Sequence, residues 1–320
     1  MWAAVRERYG PPEAIRLRDV ALPVPAPTEV RVAVRATTVN RTDCAILRAR
    51  PFLMRFVVGF ARPRRPVLGT DFAGEVEAVG AEVTRFVPGD RVFGFEDDGA
   101  STQAEYCCIE AEASIARIPD GVDFETAAAS IEGAHYAINF LNKVDLAPGA
   151  DVLVNGATGA IGSALLQFAK LAAARVVAVC RAEHFDVVRS LGADAVLDYE
   201  HEAYSAGAPE SYDFVFDTVG KSSFGAARRV LRRGGTYISS EFGRGMQNPL
   251  LAVATHFTRG RKVRFPMPLD IPRSLELVAA RLADGSFRPL IDRRLSLSAV
   301  AEAYRYVESG QKVGNVVLVV

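Results

Sequence analysis

Residues 156–162, Gly-Ala-Thr-Gly-Ala-Ile-Gly, suit one definite chemistry, the holding of a phosphate. Gly159 would let the main chain approach a diphosphate with no Cβ in the way, and Gly162 would let a following helix pack close to the strand before it. Freed N–H groups at the helix start, aligned with its dipole, would face the negative charge. Gly156, Thr158, Gly159, Ala160, Ile161 and Gly162 are therefore the expected cofactor-binding residues of the turn. A dinucleotide fingerprint carries glycine at position 157, where this chain has Ala157. The spacing alone also fits an ordinary strand-turn-helix corner, so the surrounding elements must decide.

Those elements repeat in a regular order. Asp151–Asn155 reads as a buried strand and Ser163–Lys170 as the opening of a helix. A strand at Arg175–Cys180, a helix from about Phe185 to Leu191 and a short strand at Ala195–Leu197 follow. This is half of a doubly wound sheet, the setting the fingerprint requires. A fourth strand is expected at Tyr212–Asp217, ended by Thr218-Val219-Gly220. Then come a helix at Phe224–Leu231, a strand at Thr236–Ser239, a loop with Gly243, Gly245 and Pro249, and a strand at Val263–Pro268.

The first 118 residues instead read as short strands broken by turns, before helical spacing takes over at Asp123–Leu141 with Ala127, Ala128, Ile131, Ala134, Ile138 and Leu141 in one stripe. A helix from Pro272 to about Ala283, another at Ser298–Ser309 and a strand at Val316–Val320 are too short to bury a core alone. They are expected to return to the N-terminal body. The fold expected is α/β, with a doubly wound parallel unit at 132–267 inserted in a β-rich domain made of 1–131 and 268–320.

Bulk properties narrow the partner. The chain has 320 residues, 49% of them hydrophobic, with 38 basic and 38 acidic side chains. No net field favours nucleic acid or an anionic surface, so a small molecule is the expected partner. The four cysteines, Cys44, Cys107, Cys108 and Cys180, have no zinc-lobe or disulfide spacing. No signal-peptide pattern and no apolar run of membrane-span length occurs, which points to the cytoplasm and against stable membrane insertion.

One segment stands apart. Between Arg48 and Pro66, Phe52, Leu53, Met54, Phe56, Val57, Val58 and Phe60 are interleaved with Arg48, Arg50, Arg55, Arg62, Arg64 and Arg65. It reads first as a surface helix with solvated arginines. It also fits an apolar flap closing on a substrate, or a peripheral membrane contact.

Taken in order, Asn40-Arg41-Thr42-Asp43, Pro66 to Gly80, Pro88-Gly89-Asp90-Arg91-Val92, the Ala157–Gly162 turn, Leu191-Gly192-Ala193-Asp194, Tyr212 to Gly220 and Gly314-Asn315-Val316-Val317-Leu318 resemble the medium-chain dehydrogenases/reductases, in particular their zinc-free quinone reductase branch. The resemblance runs nearly the whole length and departs at Asn315, where the family has lysine. It implies a Rossmann unit inserted in a GroES-like catalytic domain, a homodimer, and Val219 beside the cofactor. The family's zinc enzymes hold a catalytic metal at the positions of Asn40, Thr70 and a residue near Ile131. An amide, a hydroxyl and an alkyl group suit zinc poorly, so no metal site is expected.

The same resemblance implies that Asn40, Asp43 and Thr70 lie near the nicotinamide and its acceptor, with Asp71 either there or anchoring a strand. At the end of the second strand, where an acid would select NAD, stands Arg181. Its fork suits the 2′-phosphate of NADP(H), with His184 and Tyr199 as neighbours and Glu183 opposed. Arg181 also reads as a solvated surface residue. His135 could donate a proton to the reduced oxygen, as could Tyr136, or it could simply be satisfied in a helix contact. The expected function is zinc-independent, NADPH-dependent hydride delivery to a quinone or an α,β-unsaturated carbonyl. The alternatives are a low-turnover NADPH-binding protein, of the kind the family supplies as lens crystallins or vesicle-associated proteins, and, more remotely, an alcohol dehydrogenase.

Overall fold

The structure is a computed structural model that describes residues 1–320 except Leu53, Asp98, Glu202, Ser205 and Ala206. Leu53, counted above in the apolar set of the Arg48–Pro66 segment, thus lies outside the described residues. The chain divides into two compact units, Met1–Glu132 with Asp270–Val320, and Gly133–Leu269.

The second unit is built on six parallel strands: β1 (Asp151–Asn155), β2 (Arg175–Cys180), β3 (Ala195–Asp198), β4 (Tyr212–Asp217), β5 (Leu231–Ser239) and β6 (Lys262–Arg264). Their order across the sheet is β3-β2-β1-β4-β5-β6, so the winding reverses between β1 and β4. Continuous apolar runs make strands of this kind because both faces are covered. Leu153, Val179, Val215, Leu231 and Tyr237 meet in one core cluster.

The first unit holds a seven-stranded sheet in which Glu29–Val39 pairs with Asp71–Val79, Tyr106–Glu110 and the closing strand Asn315–Val319, all antiparallel. Val30, Val32 and Val34 alternate into its core with Phe72 and Val92. Four strands here were not read from the sequence: Trp2–Val5 with Arg16–Asp19, Ile115–Arg117, and Ile291–Ser296, which pairs parallel with the closing strand. Helix Val300–Glu308 turns Tyr304 and Val307 onto Leu47 and Leu318.

Several expected boundaries move. The helix after the glycine turn begins at Ala160, not Ser163, with Gly159 as its N-cap, so Gly162 belongs to the first helical turn. The helix expected at Phe224–Leu231 stops at Ala227, because Leu231 already pairs with Tyr212 in the sheet. A ten-residue helix, Gln247–His256, occupies a stretch read as loop. Its Pro249 sits in the first turn, where a missing N–H costs nothing. The last strand shortens to Lys262–Arg264. In helix Phe124–Leu141 the expected apolar stripe is present, but Ser130, Glu132, His135 and Asn139 on other faces are buried as well.

Candidate functional site

The glycine turn has the geometry its residue types suggest. Gly156 has φ +81°, and a Cβ there would meet Val219 Cγ2 at 1.9 Å, so only glycine fits. A Cβ on Gly162 would lie 2.1 Å from the Gly156 carbonyl oxygen, which makes this glycine a condition of helix and turn packing together. Gly159 differs. Its φ is −71°, and an added Cβ would approach nothing closer than the Gly156 oxygen at 3.5 Å. Neither conformation nor protein packing requires glycine at 159, and the space in front of it lies where the N–H groups of Ala160, Ile161 and Gly162 have no intrahelical acceptor. Ala157 is fully buried, so its methyl occupies core and leaves that space open.

The turn on the far side of the winding reversal is held by Asp217. Fully buried at the end of β4, it accepts from Asn155 Nδ2 at 3.0 Å, from the N–H groups of Val219 and Gly220 at 3.2 and 3.0 Å, and from Tyr237 Oη at 3.1 Å. Val219 and Thr158 therefore flank the same corner, Thr158 in the glycine turn and Val219 opposite it. Asp217 was read only as the last residue of its strand.

At the end of β2 the chain brings Arg181, His184 and Tyr199 together. Arg181 Nε lies 2.9 Å from Tyr199 Oη and 3.0 Å from Glu200 Oε1, and Nη1 is 3.6 Å from Glu183. His184 Nε2 is 3.3 Å from the same Glu183. The dissenting Glu183 is thus joined by Glu200, which sequence reasoning did not weigh.

His135 is completely buried, its ring edge-on to Tyr136 at 5.8 Å and its Nδ1 3.5 Å from Asn139 Nδ2. These contacts are the ones the helix-contact reading expects.

In the first unit, Asn40, Asp43 and Thr70 come together in a buried polar cluster that also takes in Thr38, Thr42, Asp71, Glu132 and Lys312. Asn40 follows the strand Glu29–Val39 and starts the helix Arg41–Arg48, and its N–H donates to Asp43 Oδ2 at 2.8 Å. Its Nδ2 donates to Thr38 Oγ1 at 2.7 Å and to Asp71 Oδ2 at 3.3 Å, while its Oδ1 accepts from Lys312 Nζ at 3.2 Å. The amide is committed on both sides. Asp71 is itself anchored by the Thr38 N–H and hydroxyl at 2.9 and 2.6 Å.

Glu132 accepts from Thr42 Oγ1 at 2.8 Å, and the Thr70 hydroxyl stands 3.4 Å from both Glu132 and Asp43. The hydroxyl has one proton, so it donates to one carboxyl, and a protonated form of the other could donate to it. The electrostatics agree. Burial, reinforced by the Asp71 charge, pushes Asp43 up to about 8, and burial raises Asp71 to about 6. Burial and the charges of Asp43 and Asp71 lift Glu132 well above the usual carboxylate range, while burial lowers Lys312. These directions favour protonated carboxyls at Asp43 and Glu132 near neutral pH, with Asp71 mostly ionised.

Glu132 and Lys312 were missed in the sequence. A charged residue four places after Ala128, inside an apolar helical stripe, was the signal for the first. Nothing local marks Lys312, which lies 272 residues from its partner Asn40. The third position of the metal set also needs correcting: beside the alkyl group of Ile131 stands Glu132, an acid. Among the described residues no group of three or more His, Cys, Asp or Glu is placed to hold a metal ion.

Residues 26–131 match the family described as "Alcohol dehydrogenase GroES-like domain" and residues 191–318 that described as "Zinc-binding dehydrogenase". The chain is 30% identical to a quinone oxidoreductase of Pseudomonas aeruginosa over 332 aligned positions, covering 97% of each protein. It is 29% identical to a 2-methylene-furan-3-one reductase of Solanum lycopersicum, covering 97% of this chain and 76% of that one. Among solved structures, a mycobacterial protein in complex with NADPH superposes with a TM-score of 0.81 at 26% identity over the full length of both chains.

Proposed function

Because the chain belongs to the medium-chain dehydrogenase/reductase superfamily, on its quinone oxidoreductase-like side, we propose that it is an NADPH-dependent reductase of quinones or α,β-unsaturated carbonyls that works without zinc. The observation that carries this reading is Gly159: a glycine that the protein's own packing does not need, at the head of a helix, where the winding of a parallel sheet reverses. When bound, the nicotinamide coenzyme supplies hydride to the acceptor.

The chain's own residues divide the remaining work. The turn from Gly156 to Gly162 offers main-chain donors to a diphosphate. Arg181, with His184 and Tyr199, offers a cationic fork to a 2′-phosphate, provided Glu183 and Glu200 give way. The Glu132–Thr70–Asp43 set holds protons above the ordinary carboxylate range and can return one as charge develops on an acceptor oxygen. Zinc fits this donor set poorly. Residue 40 presents an amide whose oxygen already faces the Lys312 ammonium, and a second cation there would be repelled.

We also propose a homodimer, supported by the edge position of β6 and by Leu250, Val253 and Phe257, which are 68%, 65% and 83% exposed on and just after helix Gln247–His256. Buried free thiols at Cys44, Cys107 and Cys180 suit a reducing, cytoplasmic setting.

A second reading rests on the same cluster. With Asn40 2% and Thr70 0% exposed, a protein that binds NADPH but turns over little also fits. The deciding experiment mixes protein and NADPH with 1,4-benzoquinone, 2-cyclohexenone or an alkenal and follows cofactor absorbance. Acceptor-dependent oxidation supports the reductase; tight cofactor binding without it supports the binding protein. Stoichiometric zinc in the purified protein would overturn the zinc-free assignment.

A further inference from the structure

The Arg48–Pro66 segment belongs to neither centre described above, and its surface is unusual. It contains one short helix, Met54–Val58, which leaves Phe52, Phe56 and Phe60 61%, 59% and 61% exposed and Val57 49% exposed. The three rings pack on one another with centroids 6.1, 6.1 and 5.9 Å apart, forming an apolar knob. A knob of this kind costs free energy in water, and folded chains seldom leave one uncovered without a use.

The segment holds its own shape. Arg55 Nη1 donates to the Phe60 carbonyl at 3.1 Å and Arg64 Nη1 to that of Val57 at 3.2 Å, while Tyr9 Oη donates to the Gly59 carbonyl at 2.6 Å and lies 3.0 Å from that of Val58. Beside the knob a groove of about 600 Å³ is lined by Tyr9, Arg48, Arg50, Phe52 and Arg55 among others. Between Arg48 and Pro66 there are six arginines and no carboxylate, although the whole chain carries zero net charge. Arg48, which lines the groove, is paired with Glu308.

We propose that this segment is a peripheral docking surface for an anionic lipid bilayer. Phe52, Phe56 and Phe60 enter the interface between headgroups and acyl chains, and Arg50, Arg55, Arg62 and Arg64 face the lipid phosphates. Charge complementarity selects this occupant: apolar rings ringed by cations match a surface that is apolar below and negative above, and a cluster of four to eight basic residues is the usual size for such recognition. No helix among the described residues is long and apolar enough to cross a membrane, so the contact is peripheral. The surface would bring the protein to acceptors that partition into lipid.

The test is co-sedimentation of the full-length protein with phosphatidylcholine vesicles, with and without about one-third phosphatidylglycerol. Because it needs neither coenzyme nor acceptor, its result is independent of the reductase reading. Binding is expected to the anionic vesicles, weakened by salt between about 0.05 and 0.5 M. The triple change F52S/F56S/F60S should reduce it about tenfold or more, and R50E/R62E by a similar factor. Thermal unfolding of both variants checks that they are folded.

Three results would overturn the proposal. The first is no sedimentation with anionic vesicles. The second is vesicle binding unchanged in the triple variant while the oligomeric state shifts, which makes the knob a subunit interface. The third is vesicle binding unchanged while turnover of a water-soluble quinone falls, which makes it a substrate flap.

Discussion

Lys312 donates a hydrogen bond of 3.2 Å to the side-chain oxygen of Asn40, fastening the loop before the closing strand to the start of the helix Arg41–Arg48. The contact sets a cation against a cluster with three buried acids and occupies one of the two lone pairs of the Asn40 amide oxygen. Replacing the lysine should therefore disturb both stability and the protonation of the cluster.

Lys312→Met leaves Asn40 Oδ1 without this donor inside the protein. A loss of about 1–3 kcal/mol is expected, the cost of an unsatisfied buried polar group. Urea denaturation at constant pH measures it, and a change below about 0.5 kcal/mol would show that the contact is incidental.

The raised acids make stability depend on pH in a defined direction. Asp43 sits at about 8 in the folded chain against an ordinary value of 3.8, and Asp71 at about 6. Between those limits the native state holds protons that the unfolded chain has released, so stability falls as pH rises from about 4 to about 8. Glu132, raised for the same reason, adds to the fall; Lys312, whose proton is held less tightly when folded, opposes it at higher pH. Urea midpoints measured across this range should decline, and Asp43→Asn should flatten the decline. A rise with pH in the parent protein would contradict the cluster's electrostatics.

Two of the three glycines of the turn, Gly162 and Gly159, should separate folding from binding. Gly162→Ala places a methyl 2.1 Å from the Gly156 oxygen and should destabilise by about 1–3 kcal/mol. Gly159→Ala meets nothing closer than 3.5 Å and should fold normally. Its expected defect is weaker NADPH binding, read by fluorescence titration. Unchanged affinity in a folded Gly159→Ala protein would remove the main support for a diphosphate at this corner.

Coenzyme choice turns on Arg181. Arg181→Ala should weaken NADPH by roughly tenfold or more while NADH changes little, since only the former offers a phosphate to the guanidinium. Glu200→Gln, which removes a carboxylate 3.0 Å from Arg181, should favour NADPH. Equal losses for both coenzymes in Arg181→Ala would exclude a 2′-phosphate contact.

The sequence by itself determined the parallel unit and its glycine corner, because the information is local. Strand, turn and helix lie within about twenty consecutive residues, Gly156 has a positive φ, and Gly162 closely approaches Gly156. It failed where the sheet overrode helical spacing at Leu231 and where Pro249 hid the helix Gln247–His256. The polar cluster was legible only in part. Asn40, Asp43 and Thr70 could be picked out by type, but their union with Glu132 and Lys312, and the lifting of the acids, come from burial among elements far apart in the chain. The Arg48–Pro66 segment likewise leaves three readings open in the sequence, and the joint exposure of its rings is a tertiary fact. Only the tertiary structure decides burial, and burial sets both the charge of a carboxyl and the cost of an exposed phenyl ring.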